Sequence, residues 1–169
     1  MYKLIFDDKD YDMALKEELG LKTNFASPAH EALLNIYYTA SIMKKRADDF
    51  FGRFGLTDVQ FNLMNLLYYE SGKENGLSQA QLSDMMLVNR ANVTALVDRM
   101  EKAGLVVRTS RANDRRYNII KLTAKGKSLY TKVEPLYLEQ VQSVMSTLSA
   151  AGIKHLTEEL EKIRSRLRQ

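Results

Sequence analysis

The chain has no cysteine and no tryptophan, only two prolines, and no stretch of about 18 uncharged apolar residues. Without cysteine there is no thiol redox switch, no thiolate zinc site, no cysteine nucleophile and no disulfide framework. Eight glycines in no fixed period exclude a collagen-like or low-complexity chain. The opening stretch, MYKLIFDDKDYDMALKEELG, has acids where a secretory leader has a basic segment followed by an apolar one, so the expected location is the cytoplasm, off the membrane. No period of 20 to 50 residues repeats, which removes solenoids. What remains is a 169-residue chain, 45% hydrophobic and 27% charged, the profile of one globular domain or a small domain with an assembly element. A chain of this size buries roughly 70% of its extended surface and needs no metal or disulfide staple.

The formal net charge of +4 conceals a segregation. Residues 87–127 hold ten basic groups against three acidic ones, Asp98, Glu101 and Asp114, so this block alone is +7. The first 24 residues are −2. A concentrated positive block is the electrostatic footprint of a surface that meets a polyanion.

The pattern of caps and apolar spacing gives the element order. Residues 1–24 are acidic and weakly patterned, with Met13, Leu15, Leu19 and Leu21 able to form a short packed helix or arm. Ser27-Pro28 opens a long amphipathic helix ending near Gly52 or Gly55. Thr57 and Gln60 form a capping-box pattern for a second helix, and Phe61, Met64, Leu67 and Tyr68 make its apolar stripe. Ser78 and Gln81 open a third, through Met86. Asn89 caps a fourth, Arg90 to Ala103, which Gly104 ends in a left-handed turn.

Beyond Gly104 the character becomes β-branched and alternating. Leu105–Thr109 and Tyr117–Leu122 flank the polar run 110–116, which predicts a hairpin with a basic loop. Thr123 caps a long helix that Pro135 should kink. The last helix, from about Ala150 to Arg168, repeats Ile153, Leu156, Leu160, Ile163 and Leu167 as a helix-packing seam. The fold class is therefore mainly α with a small β-hairpin wing.

Short helices followed by a hairpin make a winged helix-turn-helix, whose last helix enters the DNA major groove while the hairpin loop reaches a minor groove. At about 100° per residue, Val93, Leu96, Val97 and Met100 form the core side of the fourth helix. Ala91, Thr94, Ala95, Arg99 and Lys102 then face away, with Arg90 and Asn92 flanking the first turn beside the cap Asn89. The two alanines keep this face slim, Arg90 and Arg99 suit guanine edges or phosphate, Asn92 suits adenine, and Thr94 offers a methyl to thymine. Asp98 also faces out and would be repelled by phosphate, so either Lys102, four residues on, screens it or that turn lies off the DNA backbone. In the wing, Arg111, Arg115 and Arg116 surround Asp114, and arginine in a narrow minor groove meets enhanced negative potential. The competing readings are a solvated polar helix face and a flexible charged loop.

From about Leu56 to Gly126 the chain resembles the multiple antibiotic resistance regulator (MarR) family. The resemblance is carried by GLTDVQF, LSQAQLSDMM, VNRANVTALVDRMEKAGLV, and above all Asn113-Asp-Arg-Arg116 followed by Leu122-Thr-x-x-Gly126. It implies a homodimeric regulator, usually a repressor, on a pseudo-palindromic operator of double-stranded DNA. It places a DNA-binding lobe at 56–122 and dimerisation helices at 25–55 and 123–169, within a domain spanning 25–169, and leaves 1–24 as an extension. It gives Arg116 the role of wing arginine, braced by Asp114. Relatives commonly take small anionic or phenolic effectors, for which His30, Tyr37 and Tyr38 are candidates here, although an aromatic stripe at that spacing also suits a plain core.

No cofactor, metal or catalytic residue is expected. Gly126-Lys-Ser128 lacks the rest of a phosphate loop, and His155 with Glu159 supplies only two ligands. No catalytic arrangement of nucleophile, base and orienting group emerges. The alternative from another class is a winged-helix module whose basic patch meets an acidic protein, without sequence-specific DNA binding.

Overall fold

The computed structural model describes residues 14–72, 75–111 and 114–168, with side chains throughout except at 110, 111 and 114–117. The elements in chain order are α1 (Leu15–Glu18), α2 (Pro28–Gly52), α3 (Asp58–Tyr69), β1 (Leu77–Ser78), α4 (Gln79–Met86), α5 (Arg90–Lys102), β2 (Val106–Arg111), β3 (Asp114–Leu122), α6 (Ala124–Met145) and α7 (Ala150–Leu167). Residues up to Asp49 and residues from Phe50 onward form two compact units.

In the first unit Leu15 is buried, whereas Leu19 and Leu21 are exposed, and Met13 lies outside the described residues. The α2 segment of this unit carries exposed Leu33, Tyr37, Ile42 and Met43.

Local capping explains where the helices of the second unit begin. Thr57 accepts from the Gln60 amide while the Thr57 amide donates to the Gln60 side-chain oxygen, and Ser78 and Gln81 repeat the arrangement for α4. Asn89, Thr123 and Ser149 cap α5, α6 and α7 through their side-chain oxygens. Between these helices lies an aromatic core. Phe61 stacks on Phe51 at 4.4 Å and on Tyr130 at 5.4 Å, and Tyr137 joins both phenylalanines at 5.2 Å. The Tyr130 hydroxyl, buried with its ring, bonds Asn65 at 2.6 Å and has Glu134 at 3.1 Å. Burial, with the Glu134 carboxylate beside it, pushes that hydroxyl far above the ordinary tyrosine range, so it stays protonated. Tyr68, expected in the apolar stripe of α3, is partly exposed and packs at 4.6 Å on Tyr130.

The sheet differs from expectation in two ways. It has three antiparallel strands in the order β1-β3-β2, because Leu77 and Ser78 pair with Ile120 and Ile119. Two residues with no strand pattern of their own become a strand only because β3 supplies the ladder. The hairpin is also tighter than a loop over 110–116: β2 runs on to Arg111 and β3 starts at Asp114. Polar residues reach the strands because backbone pairing, not side-chain preference, extends them. Ser110 stands opposite Asn118 but Arg111 opposite Asp114, so residues 115–117 have no partner on β2. Helix α6 continues through Pro135, and α7 has no buried residue.

Candidate nucleic-acid interface

Helix α5 is held at both ends. Before it, the chain leaves α4 through Leu87, whose φ of 53° is the left-handed conformation usually left to glycine. The Val88 amide bonds the Ser83 carbonyl at 3.2 Å and the Ser83 hydroxyl returns a bond to the Val88 carbonyl at 2.5 Å, which closes this turn. At the far end the Gly104 amide bonds the Glu101 carbonyl and the Leu105 amide bonds the Met100 carbonyl, with φ of 70° at Gly104. That pair is the Schellman pattern, and Met100 and Leu105, the residues it brings together, are both buried.

The first turn of α6 then clamps this end. Thr123 donates its hydroxyl to the Gly104 carbonyl at 2.7 Å, and Lys125 donates to the Ala103 carbonyl at 2.8 Å. A Cβ on Gly126 would lie 2.0 Å from the Leu105 carbonyl oxygen, so this approach requires glycine. The Leu-Thr-x-x-Gly signature is thus the anchor of the end of α5.

The sides of α5 divide as its period predicts. Val93, Val97 and Met100 are fully buried and Leu96 nearly so. Asn89, Arg90, Ala91, Asn92, Thr94, Ala95, Arg99 and Lys102 are all exposed. Thr94 donates its hydroxyl to the Arg90 carbonyl at 2.9 Å, which leaves its methyl as the unengaged end. Among the described residues, Arg90, Arg99 and Lys102 are in no ion pair. Wing side chains Arg111, Asp114, Arg115 and Arg116 lie outside the described residues, so the expected brace between Asp114 and Arg116 does too.

Of the two alternatives for Asp98, the screen by Lys102 fails: Asp98 pairs with Arg108, at 2.5 Å, instead. The same guanidinium bonds Glu101 at 2.5 Å, and the Arg108 amide bonds the other Glu101 oxygen at 2.9 Å. The Arg108 amide and guanidinium hold the Glu101 carboxyl below its usual range. Burial disfavours the Arg108 charge, but Asp98 and Glu101 outweigh it and raise its pKa. A charge census counts Arg108 as one more cation for DNA. The signal it misses is period two: Arg108 shares a strand face with buried Val106, which turns it toward the lobe.

His30 and Tyr37 are exposed and Tyr38 half-buried on α2, with Phe25 edge-on to His30 at 6.1 Å. His155 stands 4.0 Å from Glu159, whose carboxylate is taken by Lys162 at 2.6 Å. Among the described residues no three metal-binding side chains cluster, and no helix is long and apolar enough to cross a membrane.

An anchored cationic helix, slim on its outer face and followed by a strand hairpin, defines a winged helix-turn-helix regulator of the DNA-binding class. The MarR family model matches residues 54–116. The transcriptional regulator FarR of Neisseria gonorrhoeae is 34% identical over 116 residues, covering 66% of this chain and 76% of that protein. The transcriptional repressor YetL of Bacillus subtilis is 26% identical over 135 residues, 80% of each chain. The crystal structure of the S. aureus MepR–DNA complex superposes with a TM-score of 0.72 at 25% identity, covering 79% of this chain and 96% of that one. The chain belongs to the MarR family. It is a DNA-binding transcriptional regulator, and its relatives are regulators rather than enzymes.

Proposed function

We propose that the protein acts in the cytoplasm as a homodimeric repressor on a pseudo-palindromic operator, with α5 in the major groove and the β2–β3 wing in an adjoining minor groove. The observation that carries this reading is the outward face of α5: Asn89, Arg90, Ala91, Asn92, Thr94, Ala95, Arg99 and Lys102 are all exposed, and its three cations are free of ion pairs among the described residues. Free guanidinium groups above a narrow alanine surface are what base edges and phosphates in a groove require. Arg111, Asp114, Arg115 and Arg116 are assigned to the minor groove on the wing sequence and the family.

The dimer is supported by α7, whose seam residues Ile153, Leu156, Ile163 and Leu167 are all exposed. A second copy related by a two-fold axis covers such a seam and sets the two reading helices about one DNA turn apart. A small anionic or phenolic effector, with His30, Tyr37 and Tyr38 as its candidate contacts, completes the reading on the strength of the family. A preference of about 1 to 3 kcal/mol for one lobe spacing over another is enough to release DNA.

Binding of a fluorescent operator duplex by the intact protein and two variants tests the assignment. Arg116→Ala is expected to weaken all duplexes alike and to lower the salt slope by about one, whereas Arg90→Ala costs about 1 to 3 kcal/mol and relaxes preference at one base pair. Two variants that bind every duplex as the parent does would remove the proposal.

A further inference from the structure

Two carboxylates on the reading helix are an unexpected choice beside phosphate. Asp98 and Glu101 stand one helical turn apart on α5, with side chains 50% and 37% exposed. Left alone, they would put two negative charges on the flank of the element that approaches a polyanion. Both are collected by one cation. Arg108 reaches back from β2, and its forked guanidinium gives one nitrogen to each acid at 2.5 Å. Its own amide fixes the second Glu101 oxygen at 2.9 Å. With 21% of its side chain exposed, Arg108 is the most enclosed member of the trio.

We propose that Arg108 is a positioning residue for DNA binding: it acts through Asp98 and Glu101, neutralising the acidic flank of α5, without itself touching phosphate. The inference rests on the DNA-binding reading above. A lysine fits this role less well, because its compact ammonium lacks the planar fork that offers a separate nitrogen to each carboxylate. Removing the arginine alone uncovers both acids, so the loss reaches DNA through them. Removing all three charges together leaves nothing to shield.

The test compares operator binding and its salt dependence in the parent, Arg108→Gln, and the triple variant Asp98→Asn/Glu101→Gln/Arg108→Gln, with melting curves as a check of folding. The single variant is expected to bind at least about tenfold more weakly with its salt slope unchanged, and the triple variant to recover to within about threefold of the parent. Were Arg108 a phosphate ligand, the triple variant would stay weak and lose about one unit of slope, which overturns the proposal. The triple variant decides the matter even if Arg108→Gln fails to fold. A parent protein with no salt-dependent duplex binding would instead refute the DNA-binding reading, and the shielding role would fall with it.

Discussion

Glu101 makes the clearest single-residue statement about pH. Its carboxyl is held below the ordinary range by the Arg108 amide and guanidinium. A group with a depressed folded pKa contributes stability above its unfolded value, about 4.3 for glutamate, and loses it as pH falls through the folded value. Urea unfolding of Glu101→Gln is therefore expected to show a deficit at neutral pH that closes below about pH 4. A deficit that is constant with pH would mean the contact is packing rather than charge. At this scale the sequence was only partly legible. The buried set Val93, Leu96, Val97 and Met100 follows from helical period alone. The partner of Asp98 did not, because Lys102 is its neighbour along the helix while Arg108 reaches it only after the chain has turned at Gly104. Leu87 was equally hidden: nothing in a leucine announces a left-handed turn residue, and here it sits in the turn that the Ser83–Val88 hydrogen bonds close.

Elements were legible where the information is local. Thr57, Ser78, Asn89 and Thr123 each satisfy an orphan amide three residues on, so these helix starts could be read directly. Strand β1 could not, since its partner residues Ile119 and Ile120 lie far along the chain. The hairpin was found but its length was not, because the slip that leaves 115–117 unpaired is a property of two strands together. The junction of α5 with α6 is the element-scale feature on which the proposed function depends most. Gly126→Ala would press a methyl into the Leu105 carbonyl at 2.0 Å, and neither backbone can yield cheaply. The expected cost is about 1 to 3 kcal/mol or more in urea unfolding, together with weaker DNA binding as the end of α5 loosens. Unchanged stability would show that the anchor is dispensable.

For the whole molecule, the described residues leave an apolar seam exposed on α7, and the chain concentrates its positive charge in the block that contains α5 and the wing. Both features fit the proposed two-fold assembly, in which two copies of α5 meet one duplex. With about eight phosphates neutralised, affinity should fall by on the order of 10³ or more between 50 and 200 mM salt. The order of helices and hairpin was open to sequence reasoning because each element carries its own pattern. The arrangement of two copies was open only as an inference from an uncovered surface. Selection of bound sequences from random duplex DNA by the purified protein tests that arrangement most directly. The account predicts an enriched site of two inverted half-sites about 10 to 10.5 base pairs apart, centre to centre. Enrichment of a single half-site, or of no sequence at all, would contradict it.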